Sequence, residues 1–128
     1  MYYIGIDLGT SAMKLLLMDA EGTIHNTVTK EYPLEFPQPG WSQQKPKDWK
    51  DALFEGIPEL LNDFDATLIN GIGCGGQMHG LVVLDENDKV IRPAILWNDG
   101  RTAPQVDYLN GVIGKETYYC HVLRSPSL

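Results

Sequence analysis

An α/β domain, built on a mixed sheet with helices packed against it, is the fold class that the sequence predicts, and three patterns predict it. Three apolar or β-branched runs lie close together at the start of the chain. One amphipathic helical stripe follows them. Behind that stripe comes a further apolar run that ends in clustered glycines. The order strand, strand, strand, helix, strand is not the strict alternation typical of a wholly parallel sheet.

Tyr2 to Asp7 and Ala12 to Met18 are apolar runs separated by Gly9-Thr10-Ser11, which predicts a β-hairpin. The turn Asp19-Ala20-Glu21-Gly22 leads into Thr23 to Lys30, whose β-branched residues alternate as a third strand does. Tyr32 to Lys47 holds Pro33, Pro37, Pro39, Gly40 and Pro46 and reads as an irregular surface loop. Trp49, Leu53, Ile57, Leu60, Leu61 and Phe64 then recur at spacings of three and four, the stripe of an amphipathic helix. Pro46 suits its first turn, where a missing N–H costs nothing. Pro58 is an interior proline, which costs about 3 kcal/mol, so a kink or break is expected near Gly56-Ile57-Pro58.

Thr67 to Cys74 reads as a buried strand, and the glycines of Gly73-Cys74-Gly75-Gly76-Gln77-Met78-His79-Gly80 predict an unusual backbone after it. Leu81 to Leu84 is expected to resume as a strand, with a polar turn at Asp85-Glu86-Asn87-Asp88 and a short return at Val90 to Ile91. Ala94 to Trp97 is a last apolar segment. A short helix is predicted from Thr102 to about Leu109, with the Thr102 hydroxyl near its start and Pro104 in its first turn.

The 128 residues, 43% hydrophobic and 21% charged, suffice for one compact core without metal or disulfide staples. Cys74 and Cys120 are far apart and neither lies in a C-x-x-C pair, the pattern of a cytoplasmic chain with free thiols. No run approaches the about eighteen apolar residues of a spanning helix, and the start lacks a basic leader, so a soluble, unexported, cytoplasmic protein is expected. With 10 Lys and Arg against 17 Asp and Glu, the net charge of -7 opposes binding to nucleic acid or to an anionic membrane. An anionic ligand must therefore be held locally, by backbone amides, placed cations or a metal ion.

Ile4-Gly5-Ile6-Asp7-Leu8-Gly9-Thr10-Ser11 sets a carboxylate at a strand end, followed by a glycine and two hydroxyls. Gly9 can adopt a positive φ and let the turn's N–H groups form a nest for phosphate. Thr10 and Ser11 can add hydroxyl donors, and Lys14 a cation. Asp7 cannot itself take phosphate, but it can hold Mg²⁺ or its water shell. Equally, Asp and Gly are common in plain tight turns. Gly114-Lys115-Glu116-Thr117 lacks the Lys-Ser or Lys-Thr of a P-loop, and no G-x-G-x-x-G follows the first strand.

Gly5 to Ser11 resembles the phosphate hairpin of the actin, Hsp70 and sugar-kinase superfamily, whose resemblance implies an RNase H-like sheet. Three further segments are similar to those of the FGGY carbohydrate kinases: Gly40-Trp41-Ser42-Gln43-Gln44 with Pro46 and Trp49; Gly75-Gly76-Gln77-Met78-His79-Gly80; and Pro93-Ala94-Ile95-Leu96-Trp97-Asn98-Asp99-Gly100-Arg101-Thr102. Within that family Met78-His79 resembles the xylulokinase branch, where glycerol kinases place Arg-Glu.

The resemblance implies transfer of the γ-phosphoryl of ATP, with Mg²⁺, to a sugar hydroxyl, the terminal one of D-xylulose on the Met-His reading. It places Asp7, Gly9, Thr10, Ser11 and Lys14 on the phosphate side, with Asp7 near Mg²⁺ through water. It places Gln77, Met78, His79, Trp97, Asn98, Asp99 and Arg101 on the sugar side. His79 can share a hydrogen bond with a sugar hydroxyl, and Met78 offers an apolar wall. Trp97 serves core packing equally well, and Asp99 with Arg101 a local ion pair. Trp41 and Trp49 are expected to do hydrophobic work.

The family's general-base aspartate and adenine surface come from later sequence, so no catalytic base is assigned within this chain, and activity of the chain alone is expected to be negligible. An amino-terminal kinase domain is expected over residues 1–117, as a partial domain, with a divergent tail over 118–128. Truncation, a change of reading frame or a deliberate cut each account for that tail. An incomplete sheet edge favours self-association into a homo-oligomer. The competing readings are another FGGY specificity, for ribulose, gluconate or glycerol, and a non-catalytic actin-like module that binds sugar or a partner.

Overall fold

The computed structural model describes residues 1–114. Strands β1 (Tyr2–Leu8), β2 (Ala12–Asp19) and β3 (Ile24–Glu31) form an antiparallel meander, as their alternation predicts. A two-residue strand β4 (Gln43–Gln44) precedes helix α1 (Pro46–Leu60); β5 (Ile69–Gly76), β6 (Ala94–Ile95) and helix α2 (Ala103–Val112) follow. In the main sheet the order is β3-β2-β1-β5, with β5 parallel to β1. That parallel return is possible because α1 supplies the crossover. The small second sheet pairs β4 with β6.

Side chains alternate across the pleat, so Ile4, Ile6 and Leu8 share one face with Met13, Leu15, Leu17 and Val28. Helix α1 covers that face, contributing Ala52 and Leu60, with Trp49, Leu53 and Ile57 packed at its margin. Contact is close at Gly56, where an added Cβ would stand 2.3 Å from Leu15 Cδ1. Asn26 of β3 donates 2.8 Å to the Leu60 carbonyl and so satisfies one acceptor at the helix end.

Several expectations are corrected. Helical conformation carries through Pro58 and ends at Leu60, without a break at residues 56–58. The proline falls in the last turn, where one backbone bond is lost, and Leu60 beyond it is fully buried and holds the helix down. Gln43 and Gln44 lie in a strand, although their neighbours predict loop throughout. Leu81 to Leu84 makes only isolated bridges, Leu81 with Ile95 and Leu84 with Val90. Thr102 stands at the N-terminus of α2 but its hydroxyl makes no capping bond.

The strand β5 is exposed rather than buried; Ile72 is 60% exposed, and β5 forms the outer edge of the main sheet among the described residues. The glycine-rich end is regular strand as far as Gly76, and the left-handed residue nearby is His79, with φ 58°. Residues 115–117 and the tail expected over 118–128, with Cys120, lie outside the described residues. No helix among the described residues is long and apolar enough to cross a membrane.

Candidate active site

The β1–β2 turn and the segment that follows β5 meet because β1 and β5 run parallel and end side by side, Leu8 opposite Gly76. At Gly76 an added Cβ would lie 2.6 Å from the Leu8 carbonyl oxygen, so this close approach demands glycine. The Gln77 amide then donates 2.8 Å to that same carbonyl and prolongs the ladder by one residue. The result is a cleft of about 380 Å³ lined by Gly9, Thr10, Gly76, Gln77, Met78, His79 and Trp97.

Gly9 does not adopt a positive φ, contrary to expectation. Its N–H donates 3.0 Å to the Ala12 carbonyl within the hairpin, so that donor is not free for an anion. Glycine is needed there for space, since a Cβ would lie 2.8 Å from the Ala12 oxygen. The Gly9 carbonyl in turn accepts a 2.6 Å bond from the Tyr32 hydroxyl. Burial, with the Asp7 charge adding to it, pushes the Tyr32 phenol up to about 12, so it stays a donor across the physiological range.

A continuous hydrogen-bonded chain ties the two sides of the cleft together. The Trp97 indole donates to Thr10 Oγ1 at 3.2 Å, Thr10 donates to Gln77 Oε1 at 3.3 Å, and Gln77 Nε2 donates to Gln44 Oε1 at 3.3 Å. Gln44 is 1% exposed. Its Nε2 donates to the carbonyls of Thr10, at 2.6 Å, and Pro33, at 3.3 Å, while its Oε1 also accepts from the Trp49 indole at 3.1 Å. Trp49, expected to act by hydrophobic packing, therefore also uses its polar edge.

Of the residues singled out in the sequence, the structure brings Gly9, Thr10, Gln77, Met78, His79 and Trp97 to one cleft. Met78, His79 and Trp97 are exposed there. Asp7 and Lys14 face each other across the β1–β2 pair, both exposed, on the sheet face opposite α1, and neither lines the cleft. Ser11 is exposed, its carbonyl accepting from the Tyr32 amide at 3.2 Å. Asn98 borders a neighbouring hollow with Phe36, Pro39 and Trp41.

Asp99 and Arg101 form a buried pair away from the cleft, with side chains 0% and 8% exposed. Both Asp99 oxygens accept from the Arg101 guanidinium, at 2.7 and 2.8 Å, and the Ser42 and Arg101 amides donate to the same carboxylate. The Arg101 guanidinium holds the Asp99 carboxyl down at about 2, against the opposing effect of burial. Arg101 also lies over the Trp41 ring, 3.9 Å from its centroid. The pair fixes the turn that carries Trp97 to the loop before α1.

Sequence reasoning missed Gln44 and Tyr32 as site-building residues. Gln44 sits inside a quoted motif, but nothing in its spacing shows that its amide crosses to Thr10. A larger hollow of about 810 Å³ lies between the start of α1 and residues 82–93, lined by Val82, Leu84, Ile91, Lys47 and Lys50 among others. Pro46 and Pro93 of the quoted segments border it, but it holds none of the residues assigned to the phosphate or the sugar side.

Comparison with known proteins bears on this cleft. Residues 2–123 match the family model described as the FGGY family of carbohydrate kinases, N-terminal domain. A xylulose kinase of Bacillus subtilis is 48% identical over 106 residues, covering 81% of this chain and 21% of the relative. A crystal structure of a xylulose kinase from Brucella ovis superposes with TM-score 0.82 at 40% identity, over 87% of this chain and 24% of that one. A gluconate kinase from Lactobacillus acidophilus superposes with TM-score 0.86 at 32% identity, over 93% and 24%. The chain thus spans between a fifth and a quarter of the length of these relatives.

Proposed function

The chain belongs to the FGGY family of carbohydrate kinases, and from that premise we propose that it forms the amino-terminal part of an enzyme that phosphorylates D-xylulose with ATP. The observation that carries this reading is the single cleft in which Gly9 and Thr10 of the β1–β2 turn face Gln77, Met78, His79 and Trp97. The mixed sheet with flanking helices is the RNase H-like frame of the sugar kinases. Residues 1–117 are taken as the kinase domain, and the family match runs on to residue 123, into the segment expected as a divergent tail over 118–128.

On this reading His79 exchanges hydrogen bonds with a sugar hydroxyl, Met78 and the Trp97 ring cover the carbon skeleton, and Gln77 holds the turn. Ser11 and Lys14 face the phosphates beside the hairpin. Asp7, an exposed carboxylate near the end of β1, is the residue that would hold Mg²⁺, through its water shell. That is the arrangement for a cation held through water and substrate phosphates. Mg²⁺ bound there supplies charge neutralisation on the transferred phosphoryl group. Asn98, Asp99 and Arg101 act on the sugar through the placement of Trp97.

Similarity to a gluconate kinase supports a second reading, in which the polyol is an aldonate. A cleft wall without Lys, Arg, Asp or Glu favours a neutral sugar. Calorimetry of the purified chain with D-xylulose, D-gluconate and glycerol separates the readings. D-Xylulose is expected to bind best, and tighter binding of gluconate or glycerol overturns the assignment. With D-xylulose and Mg-ATP together, the chain alone is expected to release no ADP above background, because none of the described residues is assigned as the base; sustained turnover refutes that division of labour.

A further inference from the structure

We propose that Tyr32 is a positioning residue for phosphate: together with Gln44 it turns the backbone carbonyls of Gly9, Thr10 and Ser11 toward the protein, so that the Thr10 and Ser11 amides face an incoming anion. The proposal rests on the sugar-kinase reading for the phosphate side of the cleft.

Three successive carbonyls of the β1–β2 turn are each held by a donor from the stretch between β3 and α1. The Tyr32 hydroxyl donates to the Gly9 carbonyl at 2.6 Å, Gln44 Nε2 to the Thr10 carbonyl at 2.6 Å, and the Tyr32 amide to the Ser11 carbonyl at 3.2 Å. In a planar trans peptide the C=O and the next N–H point in opposite directions. No peptide bond here is cis. The Thr10 and Ser11 amides therefore point away from Tyr32 and Gln44, and neither donates to another group among the described residues. An anion meeting this turn finds N–H groups, while the carbonyl oxygens that would repel it are withdrawn. Tyr32 is 8% exposed and Gln44 1%, so both act from behind the turn.

The phenol also takes the place of an ordinary bond. A β-turn is often closed by the amide of its fourth residue donating to the carbonyl of its first. Here the Ala12 amide does not donate to the Gly9 carbonyl, which is bound to Tyr32 instead. Without the phenol that carbonyl is free to swing toward Ala12, and the same planar unit carries the Thr10 N–H off the anion side.

The test titrates the ¹⁵N-labelled 128-residue chain, and its Tyr32→Phe, Gln44→Met and Val28→Ala variants, with inorganic tripolyphosphate. Affinity is read from the Thr10 and Ser11 amide signals by NMR, and stability from thermal melts. In wild type both signals are expected to move as the anion binds. Tyr32→Phe keeps the ring and is expected to bind roughly fivefold more weakly, with the Thr10 signal displaced already in the free chain. Gln44→Met, which removes the donor at the Thr10 carbonyl, is expected to displace the Ser11 signal and to weaken binding roughly fivefold as well. Val28→Ala loosens the core within β3 and is expected to lower the melting temperature at wild-type affinity.

A folded Tyr32→Phe with wild-type affinity overturns the proposal; if that variant does not fold, a Gln44→Met with wild-type affinity does so. An equal loss of affinity in Val28→Ala also overturns it, since Tyr32 then acts through stability alone. Wild type that binds no tripolyphosphate sinks the phosphate reading and the proposal with it, whereas binding that Tyr32→Phe leaves unchanged sinks the proposal alone.

Discussion

The Trp97 indole donates to the Thr10 hydroxyl at 3.2 Å, joining the turn after β6 to the turn after β1 across 87 residues of sequence. Trp97 is 58% exposed, so this bond and not burial holds its ring over the cleft. Trp97→Phe keeps the ring and removes the donor. Stability is expected to change by less than about 1 kcal/mol, while D-xylulose affinity falls roughly fivefold. Thermal melts and calorimetry measured on the same samples check both halves.

His79 holds φ at 58°, a conformation that costs a non-glycine residue roughly 1 kcal/mol. Strain of this kind persists where a side chain is needed in place. His79→Gly is expected to raise unfolding free energy by about 1 kcal/mol in urea titrations and to abolish measurable D-xylulose binding. His79→Ala should lose the binding without the gain in stability.

The Asp99–Arg101 pair makes folding sensitive to acid. The folded carboxyl titrates at about 2, below its ordinary 3.8, chiefly because Arg101 hydrogen bonds to it. A depressed folded value means that the contribution is whole above about pH 4 and is lost as pH falls toward 2. Melting temperature should decline across that window, and the decline should flatten in Asp99→Asn. That variant leaves Arg101 buried without its counter-charge and is expected to lose about 3 kcal/mol at neutral pH.

Two glycines of β5 should respond unequally to alanine. At Gly76 the new Cβ would meet the Leu8 oxygen at 2.6 Å, whereas at Gly73 nothing lies within 4 Å. Gly76→Ala is expected to cost about 2 kcal/mol and to open the cleft, and Gly73→Ala to stay within about 0.5 kcal/mol of wild type. Denaturant midpoints of the two variants give the comparison directly.

Much of this architecture is legible in the sequence because its causes are local. Period-two alternation sets β1, β2 and β3, and the spacing of Trp49, Leu53, Ile57 and Leu60 sets the buried stripe of α1. The clustered motifs also marked Thr10, Gln77, Met78 and His79 as candidate site residues, with Trp97 open between the site and core packing, and all five come to one cleft. Less legible were Gln43 and Gln44, whose two-residue strand is stabilised by β6, some fifty residues away. Exposure of β5 was equally hidden, since an apolar run reads the same at a sheet's edge as at its centre.

By itself, the sequence determined the first three strands, the buried stripe of α1 and the apolar run of β5, because those depend on neighbours a few positions apart. Tertiary structure alone decided that Asp99 and Arg101 pair in a buried place, that the Gly9 amide is spent within its hairpin, and that the Gln44 amide crosses to the Thr10 carbonyl. The physical reason is that a hydrogen bond's partner and direction are fixed by where distant backbone carbonyls come to lie, and no spacing along the chain records that.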